Sequence, residues 1–256
     1  MIRAGTLTDT LIGLVPILFI LLLWQVVWAS GLAPPALLPS PAAVFSRLVQ
    51  QLGSQTYLEH AATTLFRLFA GFALAVVVGV TLGVLATGSR AAGGVLGPIV
   101  RVLAPVPKIA LYPAFILTLG FDDASKIAAV FVDALFPILI ATQQGTAAVE
   151  PKLVWSARAA GVSPLKSLAT VVLPAALPSV LTGARIGLVI SCIVVFLAEM
   201  ITSTDGLGHL LVRAARNFQT VDMFVPLITI SMLGLMLNAA FNALRTRLLR
   251  GFPEET

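Results

Sequence analysis

Long apolar blocks separated by short polar islands set the pattern of this chain. Blocks of the length that crosses lipid, roughly 20 apolar residues, extend over Leu11 to Trp28, Ala61 to Thr87, Ala124 to Thr146, Leu177 to Ile201 and Phe224 to Leu244. A sixth, from about Gly93 to Leu119, is interrupted by Pro98, Pro105, Pro107 and Pro113. Each proline removes a backbone donor that lipid cannot replace, so this block is expected inside the bundle, against a cavity or other helices. The first block exceeds a signal-peptide core, and Ser30 to Pro41 lacks a small-x-small cleavage site, which predicts a retained helix.

Two islands carry structure of their own. After Pro39-Ser40-Pro41, the apolar positions Val44, Leu48, Val49 and Leu52 recur at helical spacing. They predict an amphipathic surface helix that either packs on the bundle or meets a partner. In the second island, Trp155 to Ala160 favour a helix and Gly161 supplies a left-handed stop. Ser163-Pro164 then supply an N-cap and first position for a second short helix, Leu165 to Val172, which Leu173-Pro174 ends before Pro178 opens the next block. A short basic helical knob of this kind is either an ordinary structured loop or an element that inserts into a groove of another protein. Spacing leaves both open.

Composition places the pattern in lipid: 58% of residues are hydrophobic, 11% are charged and the mean hydropathy is +1.01. The single cysteine, Cys192, lies deep in an apolar block and reads as a packed hydrophobe. Arg3, Arg90, Lys152, Arg158, Lys166, Arg245, Arg247 and Arg250 belong on the cytoplasmic side. Six crossings then put both termini in the cytoplasm, with Gly31 to His60, Gly120 to Lys126 and Thr202 to Met223 outside. Arg213 and Arg216 run against this rule. The net charge of +5 reflects topology and attraction to anionic headgroups. No aromatic-interleaved basic face points to nucleic acid.

Ionisable residues inside the membrane are costly and each calls for a partner or a role. Lys108 and Asp133 fall at similar depth near the midplane, either as an ion pair fixing two helices or with Lys108 meeting an anionic solute. Arg185 and Glu199 read as helix-to-helix polar contacts or substrate contacts, and Asn238 as interhelical glue. His60 and His209 are expected outside, far apart and solvated, with no metal-spaced cluster, and Ser191 and Ser231 lack a base. No catalytic or metal residue is assigned. An intramembrane enzyme or an ion-coupled carrier would act without a partner, and the inverted repeat expected of a carrier is not evident.

Four further stretches accompany the knob: PVPKIALYPAFILTLGFDDASK (Pro105 to Lys126), LTGARIGL (Leu181 to Leu188), AEM (Ala198 to Met200), and GLG (Gly206 to Gly208) followed by ARNF (Ala215 to Phe218). In this order they resemble the nitrate, sulfonate and taurine branch of bacterial ABC importer permeases. The knob resembles that family's "EAA" loop, with Ala157, Gly161 and Leu173-Pro174 in register. Trp155 and Ser156 stand where the family has Glu and its first Ala, so the acidic contact expected there is absent.

The resemblance implies an all-α, six-span, type I importer-like permease with a cytoplasmic coupling loop at 150–174. The predicted division is 1–33 as an N-terminal span, 34–60 as an external amphipathic segment, 61–250 as the core and 251–256 as a cytoplasmic tail. It further implies a permease homodimer in the bacterial inner membrane, two ATPase subunits and a periplasmic binding protein. Coupling falls to Trp155, Ser156, Ala157, Arg158, Gly161, Val162, Ser163, Pro164, Leu173 and Pro174. No cofactor is expected on this chain: it has no G-x-x-x-x-G-K-[ST] loop, so ATP and Mg belong to the ATPase partner. The cargo implied is a small anion of the sulfonate, taurine or nitrate type, or else a heterocyclic vitamin or pyrimidine precursor.

The orientation is open to direct labelling. A cysteine introduced at Ser163 is expected to be protected from an impermeant thiol reagent in intact cells and one at Ser203 labelled; labelling at Ser163 would overturn the assignment.

Overall fold

The structure is a computed structural model that describes residues 7–32, 34, 36–250 and 252, with side chains from Val15 onward. Arg3 of the orientation argument and most of the expected 251–256 tail lie outside the described residues. Among the described residues every regular element is a helix. After α1 (Leu7–Ala29) and α2 (Pro41–Leu52) come α3 (Gln55–Gly88), α4 (Arg90–Leu103), a 3-10 turn (Lys108–Leu111) and α5 (Tyr112–Leu119). Then follow α6 (Asp123–Ala147), α7 (Pro151–Ala159), α8 (Pro164–Ser167), a π turn (Leu168–Val172), α9 (Leu173–Ala175), α10 (Leu177–Thr202), α11 (Leu207–Arg216) and α12 (Thr220–Leu248).

Among the described residues, α3, α6, α10 and α12 are each long and apolar enough to cross a membrane, and α4 with the α5 segment makes a fifth candidate bent by 88°. At 34 residues α3 is about 51 Å long, so it extends past the roughly 30 Å hydrocarbon layer. It begins at Gln55, six residues before its apolar block and inside the segment expected to be external up to residue 60. The predicted boundary at 60/61 therefore falls within one helix.

Small residues fix the core. Gly71, Ala75, Gly79 and Gly83 recur every fourth position on one buried face of α3. With no hydrophobic drive between helices in lipid, such a stripe lets backbones approach and gain dispersion contacts. Opposite it, α6 presents Val130, Ala134, Ile138 and Thr142 at the same spacing, all buried. On the other side of α6, Gly183 and Gly187 of α10 face Ala141 and Ile138. Ile138 is fully buried between Gly79 and Gly187, and an added Cβ at either glycine would lie within 3.0 Å of its side chain. Helices α3, α6 and α10 thus pack as one slab.

At the other end of the slab a second cluster gathers Val44 and Leu48 of α2, Tyr57 of α3, Phe196 of α10, Leu207 and Leu210 of α11, and Val225 of α12. The amphipathic helix α2 is capped by Ser40, whose hydroxyl accepts from the Ala43 amide at 3.1 Å. It packs on this cluster through Val44 and Leu48 while Val49 stays exposed. An Arg47–Asp222 ion pair at 2.6 Å ties it to α12.

The second half of the proline-broken block lies against the bundle as expected, with Lys108 and Tyr112 buried, and its first half does not. Within the single chain α4 buries only Val100, against Phe136 and Leu139, and leaves Val95 and Val102 more than half exposed.

Candidate functional site

The two ends of the slab carry different chemistry. At one end, α7 finishes in a Schellman turn: Gly161 N–H donates to Arg158 O at 2.9 Å and Val162 N–H to Ala157 O at 3.0 Å. Gly161 sits at φ +80°, the left-handed region that a β-carbon disfavours. Ser163 then starts α8 with Pro164 at its first position, and Ser167 N–H donates to Ser163 O at 2.8 Å. The Ser163 hydroxyl makes no capping bond, so the cap predicted there is backbone geometry alone.

The second correction concerns Leu173-Pro174. These residues do not end the second short helix; the chain stays helical through Ala175, and the turn before them widens instead. Leu173 N–H reaches back five residues to Leu168 O, and this π turn directly precedes Pro174, which has no donor to contribute. Leu168 seats against Gly88 at the end of α3, joining the knob to the slab. No residue of α7 is buried. Trp155 is 65% exposed and Leu165 79%, flanked by Arg158 and Lys166.

Inside the slab, Lys108 donates to Ala104 O at 2.6 Å and lies 4.4 Å from the centre of the Phe136 ring. It forms no ion pair with Asp133, contrary to the first of the two roles expected for them. The break after α4 leaves a carbonyl within reach of the ammonium. Arg185 donates to Asn238 Oδ1 at 2.9 Å, joining α10 to α12.

The opposite end is organised by a residue that the reading of the blocks passed over. Arg67 lies within the second apolar block, 2% exposed, and binds three carboxylates from three other elements. Its Nε donates to Asp123 Oδ1 at 2.7 Å, where α6 begins, and its Nη1 to Glu199 Oε1 at 2.9 Å near the end of α10. Its Nη2 pairs with Asp205 in the loop before α11. Glu199 is completed by Thr64 Oγ1 at 2.9 Å and the Gly208 amide at 3.0 Å, and Thr64 accepts from the Leu207 amide at 2.9 Å. The first turn of α11, whose amides have no partner within the helix, is thus capped by side chains from α3 and α10. Burial works to raise the Asp205 carboxyl, but the hydrogen bond and charge of Arg67, with smaller contributions from Ser203 and Lys126, hold it below the ordinary carboxylate range.

This junction gives the AEM and GLG stretches a physical reason. A Cβ at Gly206, which sits at φ +92°, would overlap the Glu199 carboxylate, and one at Gly208 would strike Phe196 O. The glycines let α11 close over the carboxylate. His60 and His209, expected apart and solvated, stand 6.2 Å apart in a near-parallel stack. His60 Nδ1 accepts from the Gly206 amide at 3.0 Å, and both rings are half-buried. Among the described residues no cluster of three metal-type ligands exists. A cation inside an apolar block was the available signal for Arg67; its partners lie 56, 132 and 138 residues away and carry none.

Residues 75–252 match the family described as binding-protein-dependent transport system inner membrane component. The chain is 31% identical over 231 residues to the putative aliphatic sulfonates transport permease SsuC of Bacillus subtilis, covering 90% of this chain and 84% of that protein. It is 30% identical to the taurine transport permease TauC of Escherichia coli, covering 90% and 85% respectively. In fold it matches the inward-facing methionine ABC transporter MetNI with a TM-score of 0.66 at 20% identity, over 75% of this chain and 95% of that one.

The junction predicts a steep dependence on its centre. Arg67→Leu leaves the buried Glu199 carboxylate without its counter-charge and is expected to cost about 3–5 kcal/mol. Arg67→Leu with Glu199→Leu is expected to cost less than the sum of the single changes. Thermal unfolding of the solubilised chain checks both, and strict additivity would contradict the coupling. Because Asp205 is more acidic folded than unfolded, its contribution is present above the ordinary carboxylate range and fades as pH falls below it.

Proposed function

The chain belongs to the binding-protein-dependent transport system inner membrane components, the permease subunits of ABC importers, and on that premise we propose that it forms the pathway of an ATP-driven importer of aliphatic sulfonates or taurine. The substrate reading is supported by the names of the relatives at 30–31% identity over 90% of the chain. Two copies assemble in the membrane, a periplasmic protein delivers the substrate, and both termini face the cytoplasm. Separate ATPase subunits, which hold ATP and Mg, dock at the knob.

One observation supports the docking most: an exposed tryptophan and leucine on two short helices joined by a turn whose backbone is locked by its own hydrogen bonds. Apolar anchors of this size concentrate binding energy where a partner's groove excludes water. The Schellman turn fixes the angle between α7 and α8, and Leu168 against Gly88 gives the knob a short mechanical path into α3. ATPase closure pulls on the knob, and the packed slab tilts with it to exchange inward and outward openings.

The test uses the complete importer in vesicles with radiolabelled taurine. The parent is expected to import taurine in an ATP-dependent manner, and import of a heterocycle in its place would overturn the substrate. Trp155→Ala is expected to weaken ATPase association by at least about 1 kcal/mol. Gly161→Val, with about 1–2 kcal/mol of left-handed strain, is expected to reduce both association and transport-coupled ATP hydrolysis. The two act on one interface and are expected to be less than additive. Normal association and uptake in both variants would show the knob to be an ordinary loop.

A further inference from the structure

Arg213 and Arg216 stand in the last turn of α11, on the side proposed to be external, where the bias of basic residues toward the cytoplasm leaves them unexplained. The dipole at a helix C-terminus favours a cation there. That accounts for a tolerated surface arginine but not for what surrounds these two.

Arg213 lies between two polar cavities. One, of about 300 Å³, also includes Arg47, His60 and Asp222. The other, of about 260 Å³, also includes Thr202, Ser203, His209, Arg216 and Asn217. Each cavity has one acidic residue, and in each that acid is already engaged. Asp222 is held by Arg47 at 2.6 Å. Glu199 has one oxygen on Arg67 and the other on Thr64 and Gly208. Arg213 and Arg216 form no ion pair among the described residues. Among the described residues, the smaller cavity therefore offers two uncompensated guanidinium groups with the Asn217 side-chain amide beside them.

Resting on the sulfonate reading above, we propose that this smaller cavity is a receiving site for the sulfonate group of the cargo on the external face, with Arg213 and Arg216 as its cations. A guanidinium presents paired N–H donors that match two oxygens of an oxyanion, and such charge-assisted bonds are the stronger class. The cavity is smaller than those that hold drug-sized ligands, which suits a cargo of a few heavy atoms. The Glu199 carboxylate on its wall is neutralised by Arg67, so it does not repel the anion.

The experiment compares the parent importer with an Arg213→Gln/Arg216→Gln variant, each reconstituted with its ATPase and delivery protein. Both arginines are exposed and form no ion pair among the described residues, and an Arg213→Lys/Arg216→Lys variant, which keeps the charge, controls for folding. The glutamine variant, which removes both cations, is expected to lower maximal sulfonate uptake by at least about tenfold. The half-saturating concentration of loaded delivery protein is expected to stay unchanged and the lysine variant to recover part of the rate. Saturation-transfer NMR with ethanesulfonate as probe is expected to show binding to the parent and none to the glutamine variant. Unchanged uptake in the glutamine variant would overturn the site. So would a rise in the half-saturating concentration alone, which would make the arginines a contact for the delivery protein. If removing anionic lipid from vesicles around the parent reproduces the loss, the arginines hold headgroups and the proposal fails. A parent that binds ethanesulfonate through these arginines but imports no sulfonate would refute the assigned cargo and leave the site standing.

Discussion

A guanidinium buried at the end of a membrane bundle has to be neutralised by the protein itself, and the architecture of that end of the chain follows from how Arg67 meets that demand. Its three carboxylates come from the start of α6, the end of α10 and the loop before α11. Neutralising one side chain therefore fixes the relative position of four elements. The same requirement shapes backbone chemistry nearby, because Glu199 and Thr64 reach the Leu207 and Gly208 amides only where glycine admits the close approach. Charge, cap and glycine form one unit, and losing any member leaves a buried polar group unsatisfied.

Below that junction, packing replaces charge. The α3 stripe of Gly71, Ala75, Gly79 and Gly83 and the α10 pair Gly183 and Gly187 bring both helices against α6, with Ile138 held between them. Interfaces this close do not shear gradually. On the proposed mechanism, a slab pinned at one end by Arg67 and packed along its length moves as a body, so that displacement at Trp155 reaches the far side of the membrane.

Much of this was legible in the chain where the determinant is local. The left-handed Gly161, the Ser40-Pro41 start of α2 and the apolar blocks follow from backbone and hydropathy rules that involve a few neighbouring residues. Depth alone misled for Lys108 and Asp133: it fixes height in the membrane but not direction around a helix, and the break after Leu103 offers the ammonium a carbonyl. Leu173-Pro174 read as a stop because proline lacks a donor, whereas a π turn absorbed the missing bond. The Arg67 junction could be suspected from a cation in an apolar block, but its acids are distant in sequence and only folding names them. The same holds for His60 and His209.

The claim that the junction stays closed while the slab moves is tested most directly by amide hydrogen exchange on the assembled importer, nucleotide-free and trapped with ATP. The account predicts that the Leu207 and Gly208 amides remain protected in both states. Exchange at these two amides as fast as at the exposed loop residue Thr204 in either state would mean that this end opens during the cycle, and would contradict the account.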